Sequence, residues 1–122
     1  PLSLEFAINN FNKLPSYSKR KIILLGDMLE LGKFSKKLHL EVAKIVNKTN
    51  INRVYVYGKR ISYTFNKIRP QKRGKILYSS KDVWNFLKND IKDGEYLMVK
   101  GSNSTGLNTM MKNFKLGNIN VI

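Results

Sequence analysis

Apolar positions along the chain follow two alternating rhythms, and their alternation predicts the fold. Leu4, Ala7, Ile8 and Phe11 stand at helical spacing, so an amphipathic helix is expected from Pro1 to Leu14, with proline where a missing N–H does no harm. Ile22 to Leu25 is an unbroken β-favouring run, the pattern of a strand buried on both faces in a parallel sheet. Phe34, Leu38, Val42, Ile45 and Val46 return to helical spacing, which predicts a second helix over Ser35 to Lys48 with Ser35 as its cap. His39 falls on the face of that helix shared with Ser35, Val42, Ala43 and Val46.

Arg53 to Tyr57 alternates as a strand ending at Gly58, and Ile61, Phe65 and Ile68 give a short helix broken by Pro70 and Gly74. Lys75 to Tyr78 reads as the next strand. Ser79 and Asp82 then approximate a capping box for a helix that buries Val83, Trp84, Leu87 and Ile91, with Trp84 a core residue. Beyond a turn at Asp93 and Gly94, Glu95 to Val99 is a strand. Leu107, Met110, Met111 and Phe114 mark a last helix that Gly117 closes, and Asn118 to Ile122 adds an edge strand. Strands and helices in this order predict a single α/β domain: a Rossmann-like, mostly parallel, doubly wound sheet in three αβα layers.

Two of the strands end alike. The first runs into Gly26, Asp27 and Glu30, and the fourth into Lys100, Gly101, Ser102, Asn103, Ser104, Thr105 and Gly106. If the strands are parallel, both loops open on one edge, the carboxyl ends where such sheets place ligands. The second loop combines short polar groups with glycines and leads into a helix whose free N–H groups would point at a carboxylate or phosphate. His39 stands near enough to the acidic loop to approach Asp27 or Glu30.

Composition narrows the chemistry. At 122 residues the chain supports one core, and its start at Pro1 without an initiator methionine reads as a domain excised from something longer. No Cys and one His leave no disulfide, no thiolate metal site and no protein-only zinc site. With 42% hydrophobic residues and no membrane-length apolar run, a soluble cytoplasmic protein is expected. The net charge of +15 comes from lysines spread along the whole chain, with one dense cluster, Arg69 to Lys75, in an expected loop. It predicts generic attraction for anions, with no specific nucleic-acid partner.

Neither a nucleotide-hydrolysing P-loop nor a G-x-G-x-x-G fingerprint occurs, and no nucleophile triad can be assembled. A phosphoacceptor receiver domain fits the length and the placing of Ser79 and Lys100. It fails at the acceptor, because Tyr57 is followed by Gly58, Lys59 and Arg60 where an Asp is required.

The stretches LLGDMLELG, SKKLH and VKGSNSTGLN, with the opening PLSLEFAINNF, are together similar to the carboxy-terminal domain of the Mur ligases over nearly the whole chain. Among these they most resemble the ligases that add D-alanyl-D-alanine to UDP-N-acetylmuramoyl-tripeptide in peptidoglycan precursor synthesis. The resemblance implies an ATP-dependent amide ligation in which the tripeptide carboxylate is phosphorylated and the dipeptide amine attacks, with Mg²⁺ balancing charge. It also implies two further domains outside this sequence, an amino-terminal one for the UDP-sugar and a central one holding most contacts to ATP and Mg²⁺. The domain read here would be a monomeric lid that brings in the amine substrate and closes the ATP cleft. Carried to matching positions, Lys100, Gly101, Ser102 and Asn103 become candidates for substrate binding, and Asp27, Glu30 and His39 for shaping the cleft. No catalytic residue and no metal ligand is expected in this fragment. Where relatives commonly carry Arg, this chain has Asn103, so a guanidinium grip is missing and Lys100 offers only a point charge. The competing expectation is a stand-alone basic module that binds nucleic acid or another anionic partner through Arg69 to Lys75.

Overall fold

A computed structural model describes residues 2–30, 33–34, 36–113 and 120–122; the side chains of Leu2, Ser3, Leu29, Glu30, Lys33, Phe34 and Asn103 lie outside the described ones. In chain order the elements are α1 (Leu2–Lys13), β1 (Lys21–Gly26), β2 (Leu29–Glu30), β3 (Lys33–Phe34), α2 (Lys36–Asn47), β4 (Arg53–Tyr57) and α3 (Ser62–Lys67). They continue with β5 (Arg73–Leu77), α4 (Ser80–Asn89), β6 (Tyr96–Lys100), α5 (Leu107–Lys112) and β7 (Asn120–Val121). Five strands make one sheet in the order β5-β4-β1-β6-β7, and every pair in it is parallel. β2 and β3 form a small antiparallel hairpin that the hydrophobic pattern did not reveal.

β1 lies at the centre because it can: all six of its residues are buried, which suits a strand covered on both faces. Ile23 and Leu25 join Val54, Val56 and Met98 under a layer that includes Ile8, Phe11, Val42, Val46 and Ile61 from α1 to α3. Ile22 and Leu24 join Tyr55, Leu97, Val83, Phe86 and Leu107 on the opposite face, under α4 and α5. The α/β three-layer architecture is thus as expected, and the sheet is wholly parallel.

Four local expectations need correction or limits. Trp84 is 40% exposed, with the Lys88 ammonium 5.7 Å from its ring centre, while Phe86 takes the buried position. The helix phase sets this, since Val83, Phe86 and Leu87 form the inward stripe. β5 begins at Arg73, inside the basic cluster, where a loop was expected. Ser79 does cap α4, accepting from the Asp82 N–H at 3.2 Å, but the Asp82 carboxylate reaches back to the N–H of Tyr78, one residue past the cap that a true box would bond. The features assigned to Pro1, Ser35, Phe114 and Gly117 lie outside the described residues.

Candidate functional site

In the strand order, β1 connects toward β4 on one side, while the chain returns through β6 on the other. The junction of β1 and β6 is therefore the switch point of the sheet, and a crevice is expected just beyond their carboxyl ends. The two candidate loops leave the sheet there. Leu25 is level with Lys100, and Gly26 with Tyr57 of β4.

The loops touch. The Ser102 N–H donates to the carbonyl of Asp27 at 3.0 Å, and a Cβ placed on Gly101 would come within 3.0 Å of the Gly26 Cα. A side chain at 101 would press on the Gly26 backbone, so glycine suits this approach of backbone to backbone. On its other side Asp27 reaches toward β4: its Oδ1 accepts the Ile61 N–H at 2.7 Å. Gly58 makes that possible, because its φ of +129° suits glycine and a Cβ there would lie 2.7 Å from the Asp27 carboxylate. The ends of β4, β1 and β6 are thereby stitched into one rim.

His39 is fully buried beneath the rim. Its Nε2 accepts a long 3.5 Å contact from the Met28 N–H, next to Asp27, and its carbonyl accepts the Thr64 hydroxyl at 2.6 Å. The histidine therefore lies behind the loop and is not open to a ligand. Gly58 and Ile61 were read in the sequence only as a strand end and a helix face, and Thr64 not at all, although the glycine that ends RVYVY was the available signal for the site. Glu30 sits in the β2–β3 hairpin opposite Lys33; its side chain, like that of Asn103, lies outside the described ones.

Lys100 is exposed at the end of β6 and carries no ion pair among the described residues. It borders a cavity of about 240 Å³ whose walls include Ala7, Phe11, Leu14 and Met98. The rest of its loop is organised by Thr105, whose hydroxyl donates to the Ser102 carbonyl at 2.8 Å and accepts the Leu107 N–H at 3.2 Å. At the start of the last helix, where an anion site was expected, Thr105 already takes the Leu107 N–H, and α5 is only six residues long. What the loop presents is Lys100 and the backbone around Gly101 and Ser102.

No three His, Asp or Glu side chains gather closely enough to hold a metal ion among the described residues. In the basic cluster, Lys72, Arg73 and Lys75 are engaged by groups of the protein itself. Lys72 donates to the carbonyls of Thr49 and Ile51 at 2.7 and 2.8 Å, and burial followed by repulsion from Arg69 lowers its pKa. Arg73 donates to the carbonyls of Ile68 and Asn66 at 2.9 and 3.0 Å, and Lys75 pairs with Asp90 at 3.1 Å. No helix among the described residues is long and apolar enough to cross a membrane.

A model of the family described as Mur ligase, glutamate ligase domain, matches residues 1–103. The UDP-N-acetylmuramoyl-tripeptide--D-alanyl-D-alanine ligase of Bacillus subtilis (strain 168) is 28% identical over 115 residues, covering 92% of this chain and 25% of that protein. The enzyme of the same name from Buchnera aphidicola subsp. Acyrthosiphon pisum (strain APS) is 30% identical over 115 residues, covering 90% and 23%. The chain thus spans about a quarter of the length of these curated relatives. The crystal structure of MurF ligase from Thermotoga maritima in complex with ADP superposes with a TM-score of 0.70 at 21% identity, over 92% of this chain and 25% of that one.

Proposed function

Because this chain belongs to the Mur ligase family, as its glutamate ligase domain, we propose that it is the lid of an ATP-dependent ligase joining D-alanyl-D-alanine to UDP-N-acetylmuramoyl-tripeptide. The substrates are those in the names of its relatives. The observation that carries the reading is the stitched rim, in which the Ser102 N–H meets the Asp27 carbonyl across the switch point. On this reading the rim faces the reacting centre. Lys100, with the backbone of Gly101 and Ser102 and the side chain of Asn103, grips the incoming dipeptide, and Asp27, Glu30 and His39 fix the shape of the grip. Lys100 offers a positive charge to a carboxylate.

ATP, when bound, supplies the phosphoryl group that activates the tripeptide carboxylate. With no P-loop in the sequence and no acidic cluster among the described residues, the contacts to nucleotide and Mg²⁺ are assigned to the rest of the enzyme. This domain's contribution is placement and exclusion of water, effects worth roughly 7 to 11 kcal/mol when the reacting atoms are well aligned. Three of the four cations of the basic cluster, Lys72, Arg73 and Lys75, are already held by carbonyls or a carboxylate of the protein, which favours the ligase over a nucleic-acid module.

The test is kinetic. In a full-length ligase carrying this domain, Lys100→Ala should raise KM for D-alanyl-D-alanine about tenfold, the loss of one charge-assisted contact, with KM for ATP little changed. Equal kinetics for variant and parent would remove Lys100 from the site. The 122-residue chain alone should melt cooperatively yet neither hydrolyse ATP nor form the amide, and turnover by it would contradict a lid.

A further inference from the structure

Away from the rim, α2 and α3 enclose an open groove of about 700 Å³ lined by Lys36, Lys37, Leu40, Ala43, Lys44 and Lys67, together with Glu41 and Asn47. We infer that this groove docks an acidic amphipathic helix of a partner protein. The inference is independent of the ligase reading.

The groove is preformed. At its far end Asn47 donates to the Lys67 carbonyl at 3.0 Å and accepts the Arg69 N–H at 2.9 Å, which ties the last turn of α2 to the exit of α3. Its floor includes Leu40 and Ala43, and its rim holds four ammonium groups against one carboxylate, Glu41, which lies 3.9 Å from Lys44. Lys37 and Lys67 have no ion pair among the described residues, and Lys36 lies 5.4 Å from the ring centre of Tyr63.

The fold does not call for these lysines. A helix favours acids in its first turn, yet α2 has none there and opens on Lys36 and Lys37. Self-repulsion at that end is relieved by carboxylates from elsewhere.

Spacing selects the occupant. Lys36 and Lys44 are eight residues apart, about 12 Å along the axis at 1.5 Å per residue. A single phosphate cannot span that distance. A second helix laid along α2 can, with carboxylates every third or fourth residue flanking an apolar stripe that covers Leu40 and Ala43, the groove-binding mode of amphipathic helices. None of the described lining side chains is aromatic, whereas a surface that binds single-stranded nucleic acid needs rings on which bases stack.

The probe is a fluorescent sixteen-residue peptide of Glu, Leu and Ala with Glu and Leu at helical spacing, titrated into the 122-residue chain at physiological salt and read by anisotropy. A scrambled peptide of equal composition and a sixteen-nucleotide single-stranded RNA serve as comparators. The inference expects the patterned peptide to bind more tightly than both. K37E/K44E/K67E should weaken it about tenfold or more, as reversal of three exposed charge pairs predicts, while the charge-matched K13E/K81E/K112E should change it less than about twofold. Amide shifts in the NMR spectrum should centre on α2 and α3. Equal binding of patterned and scrambled peptides, tighter binding of RNA, or equal weakening by the two triple variants would each overturn the inference in favour of general attraction by net charge.

Discussion

Asp27 is held by what it accepts, so the acceptor and the charge can be separated by substitution. Asp27→Ala leaves the part-buried Ile61 N–H without its partner and should cost about 1–3 kcal/mol, whereas Asp27→Asn keeps an oxygen there and should cost less. Urea midpoints of the two variants check this, and equal losses would show that the negative charge, not the acceptor, holds α3. The position of Asp27 after a buried strand was legible in the sequence, because a polar residue behind an apolar run and a glycine can only be a strand end. Its partner was not, since Ile61 lies 34 residues away and meets it only once β4 is placed beside β1. Trp84 was misread for a local reason: size favours burial, but the phase of α4 gives the inward place to Phe86.

Among the elements, α5 shows how a short helix starts with a neighbour's hydroxyl in place of a side-chain cap. Gly106 stands at the cap with φ of +76° and no side chain to offer, and Thr105 beside it bonds both the Ser102 carbonyl and the Leu107 N–H. Thr105→Val keeps the shape and removes both bonds, so it should cost about 0.5–2 kcal/mol, as loss of a cap does. Faster exchange at the Leu107 amide, with amides of β4 unchanged, is the expected readout; uniform acceleration would mean that the threonine supports the core instead. The small, hydroxyl-rich composition of this loop is equally suited to holding an anion and to holding itself together, which is why sequence could not separate the two. Strand existence was legible from apolar runs, but the start of β5 was not, because Arg73 and Lys75 are charged edge residues whose side chains lie largely exposed.

At the scale of the whole molecule, the two edges of the sheet differ in character. At the amino ends of β1 and β6, the Glu95 carboxylate accepts two bonds from Arg20, at 2.5 and 3.1 Å, and one from the Lys92 N–H at 2.7 Å. Burial alone would raise the Glu95 pKa, but these bonds outweigh it and hold the carboxyl below its ordinary 4.5. A carboxyl with a lowered folded pKa stabilises fully above its unfolded value and loses that contribution as pH falls through the folded one. Stability should therefore decline below about pH 4.5. Glu95→Gln should flatten part of that decline and cost about 1–3 kcal/mol near neutrality, read from thermal melts across pH. A variant as acid-sensitive as the parent would place the effect elsewhere. At the carboxyl ends, Gly26 and Gly101 lie backbone against backbone. With that weld, the two loops share one backbone contact, so under the function proposed above they would swing as one jaw. A single orientation of the domain would then bring every contact to the incoming molecule into register together, or withdraw them all at once.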